Sequence, residues 1–378
     1  MRFRPWHLKW SVAPCVFLLG VLLSGVSPAW SQSEPLVIVQ NGKFGFIDHD
    51  GRVIIAPQFI WALNFWHGLG TVYVCGRYAS IDSSGTLFPR RIAIEGHLEP
   101  WKQGDKFGFV DGTGRFKIEP AFDDALPFSE GFAAVKIDNQ WGFINSTGTQ
   151  VIPPKFDDAF YFREGVASAW ADSGEVLIGT SGKTIASGYT PIEQISEGRI
   201  SAFRGRRAGY LDLQGKVAIP FIYEEVRAFH GGLAAVEKTG KWGYLDRDGK
   251  IAIPFRFDDA GAFGSGLAPA RIGNRTGFID RTGEFAFDLP FDTALGFETE
   301  ESEFGLPTSD SDVSPFWTPD NKFGYVNTSG LVIWGPAIEI PSVERIGDWS
   351  DEEKARSCES IPDDVKAKIA GFPPRWAY

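Results

Sequence analysis

A glycine repeats along most of this chain at a nearly constant spacing, and the repeat is the strongest constraint on the fold. Separations of 34, 29, 34, 34, 33, 34, 34 and 47 residues join Gly51, Gly85, Gly114, Gly148, Gly182, Gly215, Gly249, Gly283 and Gly330. Periods of about 20 to 50 residues are typical of repeat proteins, whose units pack on their neighbours. The spacing predicts nine units over residues 37–340.

Other residues move in step with this glycine and predict one hairpin per unit. Asp246 stands three residues before Gly249, where an Asp accepts backbone N–H groups of a turn and the Gly closes it. Apolar residues on both sides of the turn predict two paired strands, and a Gly-x-Ala-x-Val pattern predicts a third. Prolines such as Pro120 and Pro254 are expected to end the second strand. Each unit is therefore predicted to be a three-stranded antiparallel meander.

Both faces of each hairpin are apolar, so neighbouring units must cover them. We expect Trp141 and Trp242 to be core residues, and Gly142 and Gly243 to make room for a neighbouring chain. The fold class is all-β. Three strands in 34 residues favour an open twisted array, because propeller blades usually have four strands in about 40–50 residues. A closed propeller-like ring is the alternative, and residues 341–378 are predicted to form a short, partly helical C-terminal cap.

The hairpin sequences resemble those of a known family. "GKWGYLDRDGKIAIP", "NQWGFINSTGTQVIP" and "KFGFVDGTGRFKIEP" are each followed by Phe-Asp-Asp-Ala or a variant of it and a Gly-x-Ala-x-Val-like strand. These segments are similar to WG-repeat proteins, also called KWG-repeat proteins, a predominantly bacterial family. The resemblance is weak in the second and fifth units, where Tyr78-Ala79 and Glu175-Val176 replace Trp-Gly. It implies a β-rich repeat architecture and no catalytic residues.

The first 31 residues are typical of a secretory signal peptide. Three basic residues precede an apolar stretch over 12–26, and "AWS" at 29–31 fits a cleavage site between small residues. The apolar stretch is shorter than the ~20 residues that a membrane-spanning helix needs. We therefore expect residues 1–31 to be removed and the protein to be exported, either periplasmic or secreted, without a stable membrane span.

The charge argues against two classes of partner. The net charge is −11, and removal of residues 1–29 takes away three positive charges and no negative ones, which makes it −14. Such a chain repels nucleic acid and anionic membranes. Cys75 and Cys358 then remain as the cysteines of the exported chain. They either form a disulfide that ties the C-terminal tail to an early unit, or stay as unpaired thiols.

The sequence predicts no catalytic residue, cofactor or metal site. The turns at 48–51 and 246–249 resemble the start of a calcium loop, but no bidentate Glu follows at the required distance. The acid pairs at 123–124, 157–158 and 258–259 recur once per unit, which favours a turn over general acid–base chemistry. The chain is therefore predicted not to be an enzyme.

A cation stands eight residues before the turn glycine in seven units, as Lys43, Arg77, Lys106, Arg207, Lys241, Arg275 and Lys322. This column is either an anion-binding stripe or one side of surface ion pairs. We favour pairing with the Asp or Asn five residues downstream, across the hairpin.

Several tryptophans fall outside the repeated columns and are the better ligand candidates. They are Trp61, Trp66, Trp101, Trp170 and Trp317. Aromatic rings stack on sugars, which makes a glycan-binding module one hypothesis. The acidic insertion at 296–322, which accounts for the 47-residue spacing, is the other break in the pattern. It is interpreted as a mobile loop on the binding face, and a hydrolase site there is a second alternative. The favoured function is an exported, non-catalytic scaffold that binds a protein or cell-envelope component.

Overall fold

A computed structural model describes residues 34–66, 68–75, 77–89, 98–111, 115–172, 174–289, 312–318 and 322–339, with Cys358, Ile361 and Lys366. The named elements in these ranges are all β-strands, as the sequence predicts. They form nine antiparallel sheets, here called blades one to nine in chain order. No helix in the described ranges is long and apolar enough to span a bilayer.

The strands of blades one to three are β1 (Leu36–Gln40), β2 (Lys43–Ile47), β3 (Val53–Phe59), β4 (Trp61–Trp66), β5 (Leu69–Val74), β6 (Arg77–Asp82), β7 (Leu87–Pro89), β8 (Glu99–Gln103), β9 (Lys106–Val110) and β10 (Phe116–Phe122). Those of blades four to six are β11 (Asp124–Ala125), β12 (Phe132–Ile137), β13 (Gln140–Asn145), β14 (Gln150–Phe156), β15 (Asp158–Ala159), β16 (Val166–Ala171), β17 (Gly174–Gly179), β18 (Thr184–Ser187), β19 (Thr190–Ser196), β20 (Arg199–Arg204), β21 (Arg207–Asp212) and β22 (Val217–Tyr223).

The strands of blades seven to nine are β23 (Glu225–Val226), β24 (Leu233–Lys238), β25 (Lys241–Asp246), β26 (Ile251–Phe257), β27 (Asp259–Ala260), β28 (Ala268–Ile272), β29 (Arg275–Ile279), β30 (Phe285–Asp288), β31 (Val313–Trp317), β32 (Lys322–Asn327) and β33 (Val332–Glu339). Six of the nine sheets have four strands, called A to D in chain order, and the other three begin at strand B. In each four-stranded blade, strand A directly follows strand D of the preceding blade, so the chain passes from one sheet to the next at this point.

In most blades the glycine of the Trp-Gly motif faces a bulge in strand D, whereas Gly277 of blade eight pairs directly with Asp288. In blade four, Trp141 pairs with Phe156 and Phe143 pairs with Ile152, so three residues lie opposite Gly142. A Cβ atom on Gly142 would lie 2.6 Å from the Ile152 carbonyl oxygen and 2.7 Å from the Pro154 nitrogen. Blades one, three, six and seven have the same register. A side chain at this position would therefore collide with backbone.

Two blades without this bulge also lack the glycine. Ala79 takes its place in blade two, where β6 and β7 pair without any register shift. Val176 takes it in blade five and pairs directly with Ser187. The weak second and fifth units are therefore blades that lack the bulge opposite the glycine position, although β17 and β18 shift register between Leu177 and Ile178. The prediction that proline ends strand D is wrong, because strands such as β10 continue through Pro120 within the bulge.

Blades nine and one close the chain into a nine-bladed propeller. The Tyr325 hydroxyl donates to the Val37 carbonyl at 3.0 Å, across the junction between β32 and β1. Tyr244 makes the same kind of bond from blade seven to Gly261 at the start of blade eight, at 2.8 Å. Buried residues of blades one, two and nine form one apolar cluster. The closed-ring alternative is confirmed, and the open array is not what the chain forms.

The sequence favours an open array because strand A is too short to produce a recognisable hydrophobic pattern. Strand A has only two residues in blades four, five, seven and eight, as in β11. Two residues carry no alternation, and their pairing partner lies in the next unit. With this strand included, most blades have the four strands of a propeller blade.

The two ends of the strands define two rims of the ring. The BC rim carries the turns between strands B and C and the connections from strand D to the next strand A. The CD rim carries the turns between strands C and D and the loops between strands A and B. In the CD turn of blade seven, Asp246 Oδ1 accepts N–H groups from Asp248 at 3.0 Å and Lys250 at 2.9 Å, and Gly249 has φ 78°. This is the turn chemistry that the repeat predicts.

Three sequence predictions fall wholly or mostly outside the described residues. These are the signal peptide at 1–31, the cap at 341–378 except for Cys358, Ile361 and Lys366, and most of the insertion at 296–322. Within that insertion, β31 pairs along its whole length with β32 as strand B of blade nine. The prediction of one mobile loop over 296–322 is therefore wrong for Val313–Trp317.

Candidate functional site

One position of strand B recurs beside the BC rim in all nine blades. It is the residue that pairs with the aromatic position of the Trp-Gly motif on strand C. We call this set the rim band, and its members are Val39, Tyr73, Lys102, Lys136, Trp170, Phe203, Glu237, Arg271 and Trp317. Charged and aromatic residues alternate irregularly along the band, while the neighbouring position on strand C is mostly aromatic.

The Trp-Gly tryptophans themselves lie in the core. Trp141 and Trp242 are each 6% exposed. Trp141 shares a buried cluster with Ala159 of the next blade, and Trp242 shares one with Ala260. These rings therefore pack beneath the short strand A of the following blade and join blade to blade. They are not available to a ligand.

Blade five reverses this arrangement. Trp170 stands on strand B, and its partner on strand C is Glu175, whereas blades four and seven place the tryptophan on strand C. Because Trp170 does not lie beneath the next blade, 46% of it is exposed. The sequence marks Trp170 only as an off-pattern residue. The cross-strand register shows that Trp170 is one of the nine members of the rim band.

A second aromatic group lies at the same rim in blade two. The Trp61 ring meets the Tyr78 ring edge-to-face at 5.6 Å between centroids, and Tyr73 meets Tyr78 at 5.0 Å. Trp61 on strand A pairs directly with Tyr73, the band member of this blade. Trp317 is the band member of blade nine. Trp170 and Trp317 therefore belong to the rim band, and Trp61 lies beside its member Tyr73 in blade two.

The other two predicted tryptophans are placed elsewhere. Trp66 pairs with Leu69 at the far end of β4, beside the CD rim. Trp101 pairs with Gly108, one residue before the band position of its strand. The structure does not bring either of them to the rim band.

Acidic residues flank the band where strand D passes to the next strand A. In blade three, the Lys106 ammonium lies 2.5 Å from Asp123, and in blade seven Lys241 lies 2.5 Å from Asp258. The hydrogen bond from Lys106 lowers the pKa of Asp123, and the same bond raises the pKa of Lys106. For Lys106 and Lys241, the predicted pairing with the turn aspartate five residues downstream is wrong. The cations pair instead with an acid in the connection to the next blade.

Asp158 has a different environment. It begins strand A of blade five and pairs with Trp170 across the sheet. Its side chain reaches solvent, but partial burial still raises its pKa; Lys136 opposes this rise and Asp124 adds to it. The Asp158 carboxylate therefore lies at the exposed start of strand A, paired with Trp170 and influenced electrostatically by Lys136 and Asp124.

Carboxylates of the CD rim are used within the ring. Glu130 accepts N–H groups from Glu164 at 2.6 Å and Gly165 at 2.8 Å, one blade further on. Glu164 accepts from Gly198 at 2.7 Å in the next blade. Backbone N–H pairs in such left-handed turns form concavities that bind anions. The sequence carries this signal as a Glu-Gly pair that recurs in step with the turn glycine, at 130–131, 164–165 and 197–198.

The described residues contain no group of three or more His, Cys, Asp or Glu side chains placed to bind a metal ion. Cys75 and Cys358 form a disulfide with 4.5 Å between their Cα atoms. The bond joins the end of β5 to the C-terminal segment, where Ile361 is buried against blades one, two and nine. The tail is therefore fixed beside the junction that closes the ring.

Comparison with known proteins identifies the repeat. A family model described as "WG containing repeat" matches residues 44–74, 107–141, 141–169, 209–242 and 242–275. No curated protein sequence matches the chain.

Several solved structures are similar in fold. A crystal structure of the eukaryotic initiation factor is 10% identical with a TM-score of 0.48, over 80% of this chain and 95% of that one. BamB from Moraxella catarrhalis is 10% identical with a TM-score of 0.33, over 65% and 90%. The dihydro-heme d1 dehydrogenase NirN is 11% identical with a TM-score of 0.38, over 69% and 73%. All three TM-scores are below 0.5.

Proposed function

Because the chain belongs to the WG-repeat family and its nine units close into a ring, we propose that it is a non-catalytic binding scaffold for a protein partner. A propeller presents many short turns on a rigid frame, and binding residues are commonly carried by turns on such frames. The partner is proposed to contact the BC rim at Trp170, an exposed member of the rim band, since members such as Val39 and Tyr73 are buried.

The exposure of Trp170 is the observation that supports this choice. Tryptophan is enriched among the residues that contribute most to protein–protein binding, because it offers a large rigid surface. The repeat buries its other described Trp-Gly rings, Trp141 and Trp242, between blades. The same repeat leaves Trp170 at the rim, next to the carboxylate of Asp158. The CD rim is less suited to a partner because its glutamates already bind neighbouring blades.

Substitution of Trp170 tests the proposal. In capture experiments with envelope extracts, Trp170→Ala is expected to lower the recovery of the specific partner about tenfold or more, as for a central interface residue. Ile251→Ala is the matched control, since Ile251 is a large apolar residue that is 60% exposed on the outer strand of blade seven. The control is expected to keep wild-type recovery. Equal recovery by wild type and Trp170→Ala would contradict the proposal.

Glycan binding is the second candidate, and the same exposed ring favours it, because indole rings also stack on sugars. Glycan binding predicts a different experimental result from protein binding. An oligosaccharide would bind the purified protein and change the fluorescence of wild type but not of Trp170→Ala, with no protein captured.

Export is also part of the proposal. The disulfide between Cys75 and Cys358 supports it, since such bonds persist in oxidising compartments and are rare in the cytosol. The signal-like composition of residues 1–31 points the same way. Recovery of the protein from its host with both cysteines reduced would contradict export.

A further inference from the structure

Two aspartates beside Trp170 have no ion-pair partner in the described chain. Asp157 and Asp158 are both exposed and connect blade four to blade five. The Asp157 N–H donates to the Trp170 carbonyl at 2.8 Å, and Asp158 pairs with Trp170 across the strands. Strand pairing therefore fixes the backbone of both aspartates beside Trp170.

The repeat explains why the counter-charge is missing. Lys106, Arg207 and Lys241 each begin strand C of their blade, and they pair with an acid in the connection to the next blade, at Asp123, Glu224 and Asp258. Strand C of blade four begins instead with Gln140, which carries no charge. Lys136 of blade four influences Asp158 electrostatically but forms no ion pair with it, and its ammonium lies 6.0 Å from the centroid of the Trp141 ring. Blade five thus presents the acid pair without the cation that its equivalents have.

The same molecule shows what kind of group satisfies such a site. The Arg227 guanidinium lies 4.8 Å from the centroid of the Trp242 ring and 3.5 Å from Asp259 of the next blade. A cation held over an indole face and beside a carboxylate is favoured by both interactions. Arg227 directly follows strand A of its blade, and the residue that follows strand A in blade five is Phe160. The chain therefore supplies no arginine to Trp170 from that position.

We infer that the Trp170–Asp157–Asp158 patch binds an arginine or lysine side chain in a basic segment of the partner protein. This inference rests on the proposed function and names the chemistry of the partner. The net charge of −11 favours the same sign of partner. Phosphate groups and acidic segments would be repelled by the two carboxylates. A neutral glycan would use the ring but would not need both charges.

Short peptides test the inference. The probe is a fluorescent Gly/Ser peptide with two arginines, and the comparison peptides carry citrulline or glutamate in place of both. We expect the arginine peptide to bind the full chain about tenfold more tightly than the citrulline peptide, measured by anisotropy. The double variant Asp157→Asn/Asp158→Asn is expected to lose this preference, and Trp170→Ala is expected to weaken binding of the arginine peptide about tenfold.

A second double variant controls for net charge. Asp50→Asn/Asp248→Asn removes the same two charges from exposed turns of the CD rim, where the side chains are 70% and 74% exposed. It is expected to change peptide affinity less than about twofold, because charges on the far rim are largely screened at physiological salt. Equal weakening by both double variants, or equal binding of the arginine and citrulline peptides, would overturn the inference.

The two levels of the proposal fail in different ways. If partner capture depends on Trp170 but is unchanged by Asp157→Asn/Asp158→Asn, the basic-segment inference is wrong and the scaffold proposal stands. If capture is unchanged by Trp170→Ala, the scaffold proposal itself is wrong at this rim. Oligosaccharide binding that needs Trp170 and not the aspartates would also overturn the inference.

Discussion

Gly142→Ala is expected to destabilise the protein by about 3 kcal/mol or more, although alanine is the smallest possible change. The new Cβ atom would lie 2.6 Å from the Ile152 carbonyl oxygen and 2.9 Å from the Pro153 carbonyl carbon. Both are backbone atoms of the strand D bulge, so no side-chain rotation relieves the contact. The bulge must shift or straighten, and either change disturbs the pairing of Trp141 with Phe156. Urea unfolding followed by circular dichroism measures the loss.

Gly179→Ala is the matched control, because it places the same methyl group on strand C one blade further on. The nearest atom to a Cβ there is Ile185 Cγ2 at 3.8 Å, an ordinary contact, and the backbone is not left-handed. We expect a change within about 0.5 kcal/mol. If Gly142→Ala and Gly179→Ala unfold at the same urea concentration, the explanation of the Trp-Gly motif by the bulge is wrong.

Loss of the disulfide is the second large effect. Cys358→Ser is expected to lower the free energy of unfolding by about 2–5 kcal/mol, because the bond closes a loop over a sequence separation of 283 residues and restricts the unfolded chain. In the folded state it fixes the C-terminal segment where Ile361 is buried with residues of blades one, two and nine. The effect is therefore expected at the ring junction first. Hydrogen exchange of β1 and β32 is expected to become faster than that of β25.

Reduction provides the control for this substitution. Dithiothreitol should destabilise the wild type by the same amount as Cys358→Ser. The double variant Cys75→Ser/Cys358→Ser should show no further response to dithiothreitol. A wild type whose unfolding midpoint is unchanged by reduction would contradict the role given to the bond.

The local structure could largely be predicted from the sequence, because the residues that specify each hairpin recur in almost every unit. The hairpin at 241–253 follows from alternating apolar residues and an Asp-x-x-Gly turn, and the structure shows that turn with Asp246 and Gly249 in the expected positions. The burial of Trp242 follows from its recurrence with the backbone period. These features depend on neighbours within a few residues or in the next unit.

Closure of the ring was not accessible in the same way. It depends on a small rotation between blades that accumulates over nine units, and on β11-like strands of two residues that show no periodicity. Contacts between blades also determine which acidic residues the cations pair with. Lys241 lies close in sequence to Asp246, yet it pairs with Asp258 in the connection to blade eight. A pattern that is aligned on single units cannot show contacts made between them.

The rim band could be predicted only in part from the sequence. Trp61, Trp170 and Trp317 could be picked out as residues that the repeat does not explain. Their common location at the BC rim required the cross-strand pairing within three separate blades, which a pattern aligned on single units does not show. Glu175 opposite Trp170 is the one local sign, since a charged residue replaces the motif tryptophan there.

Closure is the central claim about the fold, because it places the band members of nine blades around one rim of a ring. Small-angle scattering of the full chain measures it directly. The closed ring predicts a radius of gyration of about 21 Å, as for a compact domain of this length. Nine sheets stacked about 10 Å apart in an open array would extend about 90 Å and give a radius of gyration of about 30 Å. A measured value that matches the open array, with a long tail in the distance distribution, would contradict the ring.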